Sequence, residues 1–156
     1  MDRISSWNIG GLNWPTKQEE LKIFLHQNKI GLIGHQETKV KEEKASRIAQ
    51  NIFPGWHWIH NFQISQGRIW VAWNPSMYHV SAICMSDQHI HSRVIQQHSG
   101  KIFYITYVYV NSYDALRRVL WDALISLLAS MDDAWCVLGD FNSVLYPQDR
   151  RGGTDI

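Results

Sequence analysis

The chain has 156 residues, a length that predicts one domain spanning residues 1–156. Apolar residues make up 45% and charged residues 19% of it, which excludes a disordered protein or a coiled coil. Fifteen Lys and Arg against fourteen Asp and Glu leave a net charge of +1, so a nucleic acid would have to be recognised by a local basic patch. The sequence contains neither an apolar stretch of about 20 residues nor a signal peptide, so we expect an intracellular protein without membrane contact.

The first third of the chain predicts alternating strands and helices. A short strand over residues 3–9 ends in a glycine turn, and a helix follows from Pro15 to Asn28. Residues 30–34 are an uninterrupted apolar run, which is typical of a strand buried on both faces. Residues 41–50 then predict a charged surface helix.

The rest of the chain begins with strand-length segments separated by turn residues. These segments are 56–62, 68–73, 80–84, 90–96 and 102–110. Residues 112–131 predict a helix whose apolar residues, at three- and four-residue spacing, form a single buried stripe. A last apolar strand covers 135–138. This order of elements predicts an α/β protein in which helices cover a mixed sheet.

Polar residues recur at the ends of the apolar strands. Asn8, Glu37, Tyr109, Asp140 and Asn142 all occupy such positions, where α/β proteins usually build their sites. Each is ambiguous alone, since a strand-end glutamate is often simply solvated and an Asp-x-Asn turn often bonds only its own backbone. Together they form an oxygen-rich set, which suits a hard cation such as Mg²⁺.

The histidines and tryptophans have simpler interpretations. His89 and His91 share one face of a predicted strand, and because no third ligand is near in sequence we expect an exposed face rather than a metal site. Trp121 and other tryptophans in apolar-patterned elements are expected in the core. His35 follows a buried apolar run, and the sequence does not reveal its role.

Four short segments resemble the motifs of the endonuclease/exonuclease/phosphatase superfamily, in the family's order and at compatible spacing. They are Ser6-Trp7-Asn8-Ile9-Gly10-Gly11-Leu12-Asn13, Gln36-Glu37-Thr38-Lys39, Tyr107-Val108-Tyr109 and Gly139-Asp140-Phe141-Asn142. A finer resemblance links the chain to endonuclease domains of plant non-LTR (LINE-type) retrotransposons. It is carried by residues 36–40, 67–75 and 137–153. The resemblance implies a Mg²⁺-dependent (or Mn²⁺-dependent) endonuclease that cleaves DNA phosphodiesters and leaves a 3′-hydroxyl.

The resemblance also implies a role for each site residue. Glu37 would bind the metal ion, with Asn8 assisting, and Asp140 would orient and deprotonate the attacking water. Asn142 would hold that aspartate and a phosphate oxygen, and Tyr109 would donate a hydrogen bond to the scissile phosphate. Independently of the resemblance, Arg150 and Arg151 are the best local basic pair beside the expected site and would contact the DNA backbone, although a solvated tail explains them equally well.

The resemblance covers essentially this whole chain but only the first two-thirds or so of the family's domain. The implied fold is therefore part of a four-layer αββα sandwich of the deoxyribonuclease-I-like type, with the C-terminal part missing. The family's later S-D-H motif does not occur in this sequence, so one alternative is a catalytically inactive remnant that keeps the fold. A second alternative is a lipid or nucleotide phosphatase of the same superfamily. The retrotransposon role would place the protein in the nucleus, and the sequence indicates no protein partner.

Overall fold

The computed structural model describes residues 3–144, 146 and 148, and within them it is an α/β protein. The elements are β1 (Arg3–Asn8), α1 (Pro15–Gln27), β2 (Ile30–Gln36), α2 (Glu42–Ile52), β3 (His57–His60), β4 (Ile69–Trp73), β5 (Tyr78–Met85), β6 (His89–Gln96), β7 (Ile102–Tyr109), α3 (Asp114–Leu128) and β8 (Trp135–Asp140). The predicted elements are all present, with ends that differ by a few residues. No helix in the described part of the chain has the length and apolarity that crossing a membrane requires.

The strands form two four-stranded sheets rather than the single mixed sheet predicted from element order. The first has the order β1-β2-β4-β3 and the second the order β5-β6-β7-β8. In both sheets an edge pair is parallel, β1 with β2 and β7 with β8, and the other pairs are antiparallel. All five residues of β4 are buried, and this strand lies inside the first sheet, between β2 and β3.

The two sheets pack face to face, and helices cover their outer faces. The core between the sheets includes Leu32, Val71, Ile90 and Tyr107, all fully buried. A second core lies under α1 and α2, and a smaller cluster joins α3 to the second sheet. The layers are therefore α, β, β and α, which confirms the partial sandwich that the family resemblance implied.

Helix α3 departs from the expected single buried stripe. Among its described residues Leu120 alone is buried, whereas Val119, Ile125 and Leu128 are more than half exposed. The reason is the small contact area: the helix packs on the sheet around Val108 and leaves its other apolar residues in solvent. Trp121, expected in the core, is 38% exposed on the same helix.

The two histidines of β6 also differ from expectation, because both are buried. The Nδ1 atom of His89 lies 2.8 Å from Ser86 Oγ, and that of His91 lies 2.7 Å from Thr106 Oγ1. These contacts are structural. Among the described residues no group of three His, Cys, Asp or Glu side chains is arranged to hold a metal ion.

Candidate active site

The carboxyl ends of four strands meet at one edge of the sandwich, and each carries a predicted site residue. Asn8 ends β1, where it pairs in parallel register with Gln36 and so lies beside Glu37. Tyr109 ends β7 and pairs in the same way with Asp140, the last residue of β8. Because strands of both sheets end at this edge, the structure brings together residues from the beginning and the end of the chain.

The side chain of Asn8 links the two carboxylates of the site. Its Nδ2 atom donates a hydrogen bond of 2.5 Å to Asp140 Oδ2. The same side chain hydrogen-bonds to Glu37 and contributes to lowering the pKa of that carboxyl. Glu37 and Asp140 therefore lie within reach of one amide group, although they belong to different sheets. Their matching positions at strand ends had placed both in one oxygen-rich set.

Glu37 sits in a strained turn next to a basic residue. Its φ is +56° and that of Lys39 is +54°, a conformation that costs energy in non-glycine residues and is common at functional sites. The Lys39 Nζ atom lies 2.7 Å from Glu37 Oε1. This hydrogen bond is the largest cause of the lowered pKa of Glu37, and partial burial opposes it. Glu37 is thus ionised at neutral pH and is available as an anionic ligand.

Asp140 is held in place by donors on both of its oxygens. Besides the bond from Asn8, the backbone N–H of Asn142 donates to Asp140 Oδ1 at 2.8 Å. The preceding Gly139 has a φ of +145°, and a Cβ there would lie 2.0 Å from the Val108 carbonyl oxygen, so only glycine fits. The carboxylate of Asp140 therefore has a defined orientation at the end of β8.

Asn142 contributes to the site through its backbone rather than its side chain. Its Nδ2 atom donates a 2.5 Å hydrogen bond to the Val110 carbonyl oxygen, which holds the turn after β8 against the end of β7. Its own carbonyl accepts a 2.7 Å bond from Arg117. The backbone N–H of Asn142 thus holds Asp140 through a local turn, and the predicted contact of Asn142 with a phosphate oxygen stays a prediction.

Tyr109 lines the open groove beside Glu37. Burial, followed by the negative charge of Glu37, raises the pKa of its phenol. The hydroxyl therefore keeps its proton at neutral pH and can donate a hydrogen bond to an anion. This is the state that the predicted role of Tyr109 requires.

Two basic residues of the site were not assigned by the sequence analysis. Lys39 pairs with Glu37, and Arg68 places its guanidinium carbon 5.9 Å from the centre of the Tyr109 ring. Both residues occur in segments that carried the family resemblance, and both lie beside a turn at a strand end. These two features of the sequence could have predicted them as site residues. The predicted DNA-contacting pair, Arg150 and Arg151, lies outside the described residues.

A family comparison agrees with this geometry. The model of the endonuclease/exonuclease/phosphatase family matches residues 5–156. The chain belongs to this family. Comparison with curated proteins finds no significant match.

Solved structures of the same fold include enzymes with different substrates. The chain superimposes on Danio rerio TDP2 complexed with a single-strand DNA product (TM-score 0.67, 16% identity, 89% of this chain and 60% of that chain). It also matches the endonuclease domain of TRAS1, a telomere-specific non-LTR retrotransposon (0.67, 14%, 90% and 60%). A third match is the Bacteroides thetaiotaomicron mannosyl-6-phosphatase (0.68, 12%, 89% and 64%). At these identities the likeness establishes the fold, and the chain spans about 60% of the neighbours' length.

Proposed function

We propose that this chain is a phosphodiester-cleaving DNA endonuclease domain of the retrotransposon type that works with Mg²⁺ or Mn²⁺. The observation that carries the proposal is the Asn8 amide, which bonds to Asp140 and to Glu37 at the meeting point of the two sheets. Paired carboxylates beside a phenol donor suit the cleavage of a phosphate ester. The nuclease names among the structural neighbours support DNA as the substrate.

The residues present fit a hard divalent ion. The donors for the ion are the carboxylate of Glu37 and the amide oxygen of Asn8, both of them oxygen groups of the kind that Mg²⁺ prefers. Lys39 bonds to Oε1 of Glu37 and the Gly10 N–H donates to Asn8 Oδ1, so Glu37 Oε2 and a second lone pair on Asn8 Oδ1 would bind the ion. One carboxylate and one amide make a weak site, so water and substrate phosphate oxygens would complete the coordination.

In this proposal Glu37 and Asn8 hold the ion, which when bound neutralises negative charge on the phosphate. Asp140 accepts a proton from a water molecule as the water oxygen forms a bond to phosphorus and the P–O3′ bond breaks. The departing 3′ oxygen takes a proton from solvent, so the products end in a 3′-hydroxyl and a 5′-phosphate. Tyr109 donates a hydrogen bond to a non-bridging phosphate oxygen, and Asn142 keeps Asp140 in its orientation.

Plasmid nicking tests the proposal. Supercoiled DNA is incubated with Mg²⁺ and the wild type, Glu37→Gln or Asp140→Asn, and conversion to open circles is followed on gels. We expect nicking by the wild type and a loss of about 10²-fold or more in each variant, the usual effect of removing one essential group. Glu19→Gln and Asp122→Asn, exposed carboxylates on α1 and α3, are matched controls that should keep the wild-type rate.

Calorimetric titration with Mg²⁺ or Mn²⁺ alone separates binding from turnover. The wild type should give a weak binding heat that Glu37→Gln loses. If Glu37→Gln matches the wild type in both heat and nicking, Glu37 is a surface residue and the proposal is wrong. If the wild type binds the ion and does not nick DNA, the inactive-remnant alternative replaces the endonuclease.

A further inference from the structure

Arg68 lies on a loop whose backbone is firmly held. The side chain of the buried Asn61 accepts a 3.1 Å bond from the Ile69 N–H and donates to the Ser86 carbonyl at 3.0 Å. The preceding Gly67 has a φ of +63°, and its carbonyl accepts a 2.9 Å bond from the Thr38 hydroxyl. Since Thr38 directly follows Glu37, these bonds tie the position of Arg68 to that of the acidic site.

Toward the residues that the structure describes, the guanidinium of Arg68 uses few of its donors. It donates one hydrogen bond among them, to the Gln66 side chain at 3.2 Å, and it lies over the Tyr109 ring. Within the described residues no carboxylate lies within ion-pair distance of it. Lys39 differs, because its charge is paired with Glu37. Arg68 therefore presents an exposed positive charge without an ion-pair partner among the described residues, and its fork geometry suits a phosphate.

Two grooves meet at Arg68. The first, of about 660 Å³, contains Glu37 and Lys39, and the second, of about 520 Å³, leads to Asn111 and Asn142. Arg68 and Tyr109 line both grooves, so together they mark the junction. A phosphate monoester would fill one groove at most, whereas an extended strand can occupy both and pass its backbone over the junction.

We propose that Arg68 binds a backbone phosphate of a nucleic-acid strand that runs through both grooves, adjacent to the phosphodiester at Tyr109. This inference rests on the proposed endonuclease function and specifies its substrate as a polynucleotide strand rather than a small phosphate ester. The fixed loop places the guanidinium before the strand arrives, which reduces the ordering cost of binding. Arg68 acts in binding and positioning, and the proton transfer remains with Asp140.

Binding without cleavage tests this. Fluorescence anisotropy is measured in EDTA with a labelled DNA single strand of about twelve nucleotides. The proteins are the wild type, Arg68→Ala, Arg68→Lys and Arg47→Ala. Arg47 is an exposed arginine of α2 outside both grooves, and it is the matched control. Circular dichroism and urea midpoints establish that every variant is folded.

We expect Arg68→Ala to weaken strand binding about tenfold or more, the effect of losing a charge-assisted contact, and Arg47→Ala to stay within about twofold. The slope of log affinity against log salt should become shallower by about 0.7 in Arg68→Ala and return to the wild-type value in Arg68→Lys. Thymidine monophosphate should compete poorly with the labelled strand.

The outcomes separate the two proposals. Wild-type binding with equal affinity for Arg68→Ala and Arg47→Ala overturns the role of Arg68 and leaves the endonuclease proposal intact. If the monophosphate competes as strongly as an unlabelled strand does, no strand runs through both grooves. That outcome overturns this inference and favours a phosphatase. Failure of the folded wild type to bind the strand overturns this inference, and plasmid nicking in Mg²⁺ then tests the endonuclease proposal independently.

Discussion

The buried imidazole of His35 should make the stability of this protein fall steeply in mild acid. His35 is fully buried in β2, its ring stacks on Phe53 at 6.1 Å, and neither ring nitrogen has a hydrogen-bond partner among the described residues. Burial lowers its pKa from 6.5 to about 3. The folded protein therefore keeps this imidazole neutral at pH values where the unfolded chain protonates it.

The sign and size of the effect follow from this difference. Between pH 6.5 and about 3 the unfolded state binds one proton more than the folded state, so acid favours unfolding. Each pH unit in that window removes about 1.4 kcal/mol, and lowering the pH from 6.5 to 5 removes about 2 kcal/mol. Above pH 6.5 both states hold the neutral imidazole, and this contribution no longer changes with pH.

Urea denaturation followed by tryptophan fluorescence measures the effect. The wild type is compared with His35→Leu and with Ile33→Val, a control on the same face of β2 that removes a buried methyl group and no titrating group. From pH 7.5 to 5 the wild type and Ile33→Val should lose about 2 kcal/mol more than His35→Leu. Equal losses in the wild type and His35→Leu would refute the reasoning, because they would mean that the folded protein protonates His35 as easily as the unfolded chain does.

Three further substitutions test the packing around the site. Gly34→Ala would place a Cβ 2.0 Å from the Tyr107 ring, so we expect a loss of about 1–3 kcal/mol in the free energy of unfolding, measured as a lower urea midpoint. Tyr107→Phe removes a buried hydroxyl that has no partner among the described residues and should raise the free energy of unfolding by about 1 kcal/mol, whereas a lowered midpoint would reveal a hydrogen bond to that hydroxyl. Asn61→Ala removes the bond to the Ile69 N–H and should cost about 1–3 kcal/mol, with limited proteolysis showing faster cleavage in residues 61–68 than in the wild type.

Local patterning was sufficient to predict the elements and the fold class. Apolar runs and three- and four-residue spacing located the helices and strands, since burial of one face imposes the same periodicity wherever the element packs. The run in β2 correctly predicted a strand buried on both faces. The position of Glu37 directly after that run, like that of Asp140 at the end of another, pointed to the site because strand ends of α/β proteins meet at one edge.

Contacts between distant segments were decided only by the tertiary structure. Element order did not reveal that the strands divide into two sheets, with β4 between β2 and β3 in the first, because pairing depends on which neighbours can bury both faces of a strand. The residue pattern of α3 correctly predicted a helix with an apolar face, but less of that face is buried than the pattern predicted. Periodicity identifies which residues share a face and does not determine how much of the face another element covers. His91 shows the opposite error, because its polar pattern predicted exposure and the side chain is buried. A polar side chain can be buried when it is hydrogen-bonded, as His91 is to Thr106.

The candidate site divides in the same way. The sequence alone determined which chemical groups stand at the strand ends, because motif and spacing are local properties of the chain. The tertiary structure decided the contacts among these groups. The stacking of the two sheets brings Asn8 to Asp140 and positions Lys39 beside Glu37. The hydrogen bond between Thr38 and the Gly67 carbonyl fixes the loop that exposes the guanidinium of Arg68. These contacts join residues remote in sequence, and their geometry is fixed by the packing of side chains that lie between them.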